Sequence, residues 1–385
     1  MEPVRGAPEA GRRARIDLGL YCDHNATAPM HPDVRAAVAE AEEALWGNPS
    51  SPHAAGAVAR ARLEDCRREL GALLDVDHRR VIFTSGATES NAQALQPGPR
   101  PVLASAVEHP SALSWAGQRV EVDADGVIDL EALDRALALA GAGARVALQA
   151  ANNETGVLQP VVEAAAVCAA RGARVHIDAA QLPGRCPLRP AAQSASSLAL
   201  CAHKFGGPKG VGLLLVDPEV RPLLRGGAQE RGLRPGTVPV PLIVGLTAAL
   251  RRAEAAVQSG APASLAADRD ALEAAAVTLG GRPLAAGRPR LPNTTALLFD
   301  VDAEILVMAL DMAGLCASTG AACSSGAAEQ SHVLAAMGLR GRPLRLSVGP
   351  GLDLARATAA LGALGAARAA LADGGETLGA PPVDG

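Results

Sequence analysis

Several things are scarce in this 385-residue chain, and each scarcity excludes something. No stretch of about 18 apolar residues runs without a charge, which rules out a hydrophobic spanning helix. No basic excess exists: the formal charge is −4 and the pI is near 6.1, which argues against a nucleic-acid partner. The seven cysteines are odd in number and none forms a C-x-x-C pair, so neither a zinc site nor a regular disulfide framework is expected. A reducing compartment, the cytoplasm, fits that usage. The first twenty residues lack an apolar signal core, and Glu2, Glu9 and Asp17 dilute their positive charge. They read as a short flexible extension.

The most informative scarcity is lysine. Of 36 basic residues only Lys204 and Lys209 are lysines, and both lie in His203-Lys204-Phe205-Gly206-Gly207-Pro208-Lys209-Gly210. Arginine cannot replace lysine where an amine must lose its proton and form an imine. A chain that keeps its lysines in one place points to a chemical need for at least one.

What is present reads as an α/β protein. Helices are expected near Pro32–Leu45, 54–74, Leu130–Ala140 and 161–171. Short apolar runs at 81–84, 102–104, 119–122, 145–150, 174–178, 197–201 and 211–216 read as strands. Their alternation with helices predicts a mostly parallel sheet, which places ligands at strand ends. An Ala-rich region over 251–280 and another over 353–373 read as helical. The expected organisation is a large domain over 21–254, a smaller one over 255–373 and a loose tail from Gly374.

Four features carry chemistry. Ser85-Gly86-Ala87-Thr88 joins a strand to a helix, where backbone amides and a hydroxyl make an anion cradle. Asp178 ends a strand and could pair with a protonated ring nitrogen. Lys204 ends another strand 26 residues later, about one βαβ unit, so the two strands can be neighbours. Cys323 sits in Ala317-Ser318-Thr319-Gly320-Ala321-Ala322-Cys323-Ser324-Ser325-Gly326, a small, polar stretch that lets a thiol approach a substrate. Together they suggest pyridoxal phosphate chemistry on sulfur.

The motifs D-H-N-A-T-A-P, G-N-P-S-S-P-H, F-T-S-G-A-T-E-S-N, A-V-E-H-P, A-N-N-E-T-G, H-I-D-A-A-Q, H-K-F-G-G-P-K-G and Q-E-R-G-L-R-P-G-T run from about Tyr21 to Gly349. With the cysteine loop, they resemble the cysteine desulfurases of the nitrogen-fixation and iron–sulfur assembly type, in class V of the aminotransferases. The resemblance implies fold type I of the pyridoxal-phosphate enzymes: a large domain with a seven-stranded, mostly parallel sheet and a smaller α+β domain carrying the cysteine loop. It implies Lys204 as the covalent anchor of pyridoxal 5'-phosphate and a proton shuttle, with Asp178 on the ring nitrogen. Gln181 and Asn153 would contact the ring, and His109 would stack on it and transfer protons. Ala87, Thr88 and His203 would hold the phosphate. Thr237 would reach the phosphate of a partner subunit in a homodimer. Asn25, Asn153 and Arg345 would meet the substrate, L-cysteine. Cys323 would take the sulfur as a persulfide, leave L-alanine, and pass the sulfur to an acceptor such as an iron–sulfur scaffold.

The chain departs from the family pattern in places. Cys201 stands where a serine hydroxyl usually meets the phosphate, Ala92 replaces an asparagine, and Pro350 stands where an arginine is usual. Gln96-Pro97-Gly98-Pro99 cuts short the helix after Asn91. Selenocysteine lyases share most of the motifs, and a catalytically degenerate scaffold is the non-enzyme alternative.

Overall fold

The computed structural model describes residues 17–320 and 330–373. Two helices open the chain, α1 (Pro32–Ala44) and α2 (Ala54–Leu74). Histidine caps both: His31 Nδ1 accepts from the Asp33 amide and His53 Nδ1 from the Gly56 amide. α2 buries Ala59, Leu63, Cys66, Leu70 and Leu74, a helical stripe facing the core.

Strands and helices then alternate: β1 (Val81–Thr84), α3 (Ala87–Leu95), β2 (Val102–Ser105), α4 (Pro110–Leu113), β3 (Gln118–Val120), α5 (Leu130–Ala140), β4 (Arg145–Gln149) and α6 (Val161–Ala170). After them come β5 (Arg174–Asp178), α7 (Arg189–Ser194), β6 (Ser197–Cys201), β7 (Gly212–Leu215) and α8 (Val240–Gln258). The seven strands form one sheet in the order β1-β7-β6-β5-β4-β2-β3. The pairs among β3, β2, β4, β5 and β6 are parallel, and β7 is antiparallel to both β6 and β1. Because β1 and β6 both oppose β7, they run the same way. The ends of β1, β5 and β6 therefore open on one edge. Ile177, Leu198, Leu200 and Leu213 are fully buried, as expected of strands covered on both faces.

The remainder forms α9 (Ala261–Thr278), β8 (Arg282–Pro283), β9 (Thr294–Leu298), α10 (Ala303–Met312), α11 (His332–Ala336), β10 (Leu344–Ser347), α12 (Leu354–Ala360) and α13 (Gly362–Asp373). β10, β9 and β8 make an antiparallel three-stranded sheet. Its core unites Leu272, Leu297, Leu306, Leu310, Leu346 and Leu361.

Some expectations change in detail. Residues 251–280 are not one helix: α8 and α9 separate at Ser259-Gly260, with Gly260 at φ 81°. The helix expected over 353–373 is interrupted at Leu361, just before Gly362. The end of the expected N-terminal extension is folded. Leu20 is buried in the second core with Cys22, and Asp17 pairs with Arg356 at 2.7 Å. The tail from Gly374 lies outside the described residues.

Candidate active site

The edge where β1, β5 and β6 end borders a cavity of about 540 Å³. Asn25, Ala87, Thr88, His109, Asn153, Asp178, Gln181, Cys201, His203, Lys204 and Arg345 all line it. Thr237 does not. It lines a different cavity with Leu45, Trp46 and Asn48, where Trp46 is 75% exposed. Cys323 lies outside the described residues, but Gly320, three residues earlier, lines the main cavity.

β1 delivers the chain into α3 through Ser85 and Gly86. Gly86 offers no side-chain cap, so the first amides of α3 are left facing the cavity. The approach is close. A Cβ on Gly212 would come within 2.6 Å of the Gly86 Cα and 2.5 Å of the Leu200 carbonyl, so β7 needs glycine there. Cys201 ends β6 beside this turn, and burial pushes its thiol up to about 11. It is neutral.

Asp178 ends β5 with both oxygens fixed. Oδ1 accepts from the Ala180 amide at 3.0 Å and Oδ2 from Asn91 Nδ2 at 2.7 Å. Asn91 reaches it from α3, and its other amide hydrogen goes to Ser111 Oγ at 2.9 Å. Asn91 Oδ1 accepts from His176 Nε2 at 2.9 Å. His176 is fully buried, and desolvation lowers its pKa to about 4, so it is a neutral ring. Ser111 in turn meets His109: its hydroxyl lies 2.8 Å and its amide 3.1 Å from Nδ1. An amide can only donate, so Nδ1 accepts and the neutral His109 ring carries its proton on Nε2. Burial holds the His109 pKa below the usual histidine range, against the pull of Asp178.

Lys204 follows β6 in a single 3₁₀ turn. Its backbone is clamped by Arg185, whose guanidinium donates to the Lys204 carbonyl at 3.3 Å, the His24 carbonyl at 3.0 Å and Gln181. Desolvation lowers the Arg185 pKa to about 10, so the group stays charged at neutral pH. Gln181 is thereby engaged on both ends, because its Nε2 donates to the Asn25 carbonyl at 3.0 Å. His203 shares a 3.1 Å hydrogen bond with Thr27, and burial lowers its pKa to about 4.

The opposite wall comes from the second sheet. Arg345 on β10 is only 1% exposed. It donates to the carbonyls of Asn153 at 2.9 Å and Gly320 at 2.8 Å, and it pairs with Asp23 at 2.6 Å. Its Nε is buried without a partner among the described residues. Asn25 donates to Thr294 Oγ1 at 3.0 Å and to the Asn153 carbonyl at 3.1 Å, which ties the two sheets together here. Gly320 sits at φ 90° with Glu154 Oε2 only 3.2 Å from where a Cβ would be, a conformation that suits glycine.

Sequence reasoning assigned no role to Asn91, Ser111, Glu108 or Arg185. Asn91 and Glu108 stand inside quoted motifs, which was their only signal. Arg185 and Ser111 had none.

The aminotransferase class V family model matches residues 20–350. A cysteine desulfurase of Cereibacter sphaeroides is 39% identical over 340 residues, 83% of this chain and 86% of the relative. One of Rhodobacter capsulatus is 41% identical over 341 residues, 83% of this chain and 87% of the relative. Among solved structures, a NifS-like protein matches with a TM-score of 0.80 at 30% identity, covering 91% of this chain and all of that one. DndA from Streptomyces lividans matches at 0.69 and 33% identity, over 84% of this chain and 97% of its own. The strand order, the converging strand ends and these likenesses agree: the chain belongs to the class V aminotransferases, among the cysteine desulfurases of that family.

Proposed function

We propose that the chain is a pyridoxal 5'-phosphate-dependent cysteine desulfurase that converts L-cysteine to L-alanine and holds the sulfur as a persulfide on Cys323. The observation that carries this reading is the convergence of an uncapped helix start, Asp178, Lys204 and Arg345 on one cavity. The donor set suits the cofactor. The α3 amides and the Thr88 hydroxyl offer hydrogen bonds to a phosphate, and the neutral His203 adds a hydrogen bond, not a charge. Cys201 cannot supply the hydroxyl usual at its position.

When bound, pyridoxal phosphate would draw electron density from the substrate's Cα. The chain's own groups do the rest. Lys204 Nζ anchors the cofactor and carries protons to and from the reacting carbon. Asp178, oriented by Asn91 and the Ala180 amide, holds a proton on the ring nitrogen. His109 offers the proton on Nε2. Arg345 meets the substrate carboxylate with a guanidinium already desolvated and fixed by Asp23. Cys323 attacks the substrate sulfur: the C–S bond breaks, an S–S bond forms, and the thiol's proton is returned to the carbon skeleton, which leaves as alanine. Gly320 on the cavity wall is three residues away, at most about 11 Å of chain.

Thr237 stands apart from the cavity, beside the exposed Trp46, and this supports its assignment to a partner subunit's phosphate in a homodimer. An iron–sulfur scaffold or another sulfur-accepting protein would take the persulfide sulfur. The test is release of alanine and sulfide from L-cysteine by the cofactor-loaded protein with a reductant present. Equimolar products are expected, and Cys323→Ala should bind cysteine yet form no persulfide. Persulfide on any other cysteine, or no alanine from a properly loaded protein, would overturn the proposal.

A further inference from the structure

At the opposite edge of the seven-stranded sheet, where β4, β5 and β6 begin, a second cavity of about 340 Å³ opens. It exists where α3 stops. Pro97 forces Gln96 out of the helical region, to ψ 147°, and the chain turns directly into β2. The resemblance to the desulfurases implies a longer helix at this point, so the opening is a feature of this chain.

The lining is charged in an uneven way. Arg100, Arg145, Arg174 and Arg221 face Asp217 and Glu219, so four guanidiniums meet two carboxylates and two positive charges are left over. Both carboxylates are taken by one arginine: Arg174 bonds Asp217 and reaches Glu219 at 2.6 Å. Arg100, Arg145 and Arg221 form no ion pair among the described residues. Arg145 instead donates to the carbonyls of Ala94 at 2.9 Å and Gln96 at 2.6 Å, closing the C-terminus of α3 where the helix would otherwise continue. Arg100 and Arg221 are exposed at the mouth. The floor is polar, with Ser197 and the neutral His176 hydrogen-bonded to each other at 2.8 Å.

We propose that this cavity is a second binding site, for a small phosphorylated anion. Its volume lies at the lower end of the range for small-molecule sites. Guanidinium forks match phosphate oxygens, and the excess of two positive charges attracts a multiply charged anion of that kind. Nothing in the catalytic reading uses these arginines, and the cavity lies across the sheet from Lys204.

Calorimetric titration of inorganic pyrophosphate into the cofactor-loaded protein at low ionic strength tests this. Loading fills the phosphate cradle at α3, so saturable heat must come from elsewhere. One site per chain is expected, weakened at least tenfold in Arg100→Glu/Arg221→Glu, whose exposed side chains contribute no hydrogen bond to the fold. Unchanged melting of that variant would show that it folds. Three results would overturn the proposal: no saturable heat, equal affinity in the variant, or binding that sulfate at the same ionic strength reproduces.

Discussion

His109 and Asp178 are joined through two intermediaries, Ser111 and Asn91, by hydrogen bonds of 2.8, 2.9 and 2.7 Å. The donors run outward from Asn91 in both directions. Asn91 donates to both neighbours, so the Ser111 hydroxyl must donate onward to His109 Nδ1. One amide thus fixes the orientation of the carboxylate and the tautomer of the histidine.

Asn91→Ala should therefore damage chemistry more than binding. Hydrogen bonds to charged groups contribute about 1.5–3 kcal/mol, equivalent to roughly 10- to 100-fold in rate. Steady-state kinetics should show kcat for alanine formation falling by that order with KM little changed. A rise in KM alone would mean that Asn91 shapes the substrate pocket instead.

Lys204→Ala should abolish the visible absorbance of the covalently held cofactor and all desulfuration. Lys209 also borders the cavity, at its exposed rim, and should not substitute for it. A persisting spectrum in the variant would place the anchor elsewhere.

Glu108 gives a pH signature. It is fully buried, Oε1 accepts from the Gln149 amide at 2.7 Å, and Oε2 has no partner among the described residues. Desolvation raises its pKa from 4.5 to about 8. The folded chain then binds this proton more tightly than the unfolded chain does. Its stabilising effect is full below about pH 4.5 and is lost as pH rises toward about 8. Glu108→Gln keeps a neutral side chain, so the decline of Tm between these limits should be shallower in the variant. Parallel Tm profiles would refute the assignment.

Glu230 anchors the segment that leads to Thr237. Its carboxylate takes Arg67 at 2.7 and 2.9 Å and the Phe83 amide at 2.8 Å, with Arg67 stacked 4.9 Å from the Phe83 ring centroid. Glu230→Ala would strip the buried Arg67 of its two-pronged partner and leave it only the half-exposed Glu64 at 3.1 Å and the Val81 carbonyl at 2.6 Å, at a cost approaching about 3–5 kcal/mol. Urea denaturation should show that loss, and a change below 1 kcal/mol, the usual worth of a surface pair, would mean that Arg67 finds water or another partner.

The sequence exposed some of this architecture better than the rest. Short apolar strands and their alternation with helices are local patterns, and the seven strands were readable from them. Lys204 stood out because lysine is so rare, and Asp178 because its strand ends on a carboxylate. Thr237 and Arg345 were named only through family likeness, since nothing within ten residues of either indicates a ligand. The pairings within the polar interior were not legible. Arg67 and Glu230 lie 163 residues apart in sequence, and Asn91 and Asp178 lie 87 apart. Such pairs exist only once the sheet has brought its strand ends together. The break at Gly260 was visible as a glycine, but apolar patterning on both sides concealed it.

The scarcity of lysine has a practical side as well. An acylating or reductively alkylating reagent finds just two side-chain amines in this sequence, one exposed at position 209 and one half-buried against the cavity wall at position 204. Most proteins blur such chemistry across dozens of sites. Here the labelling stoichiometry is itself a readout: protection of one amine out of two reports whether Lys204 is engaged, without any assay of turnover.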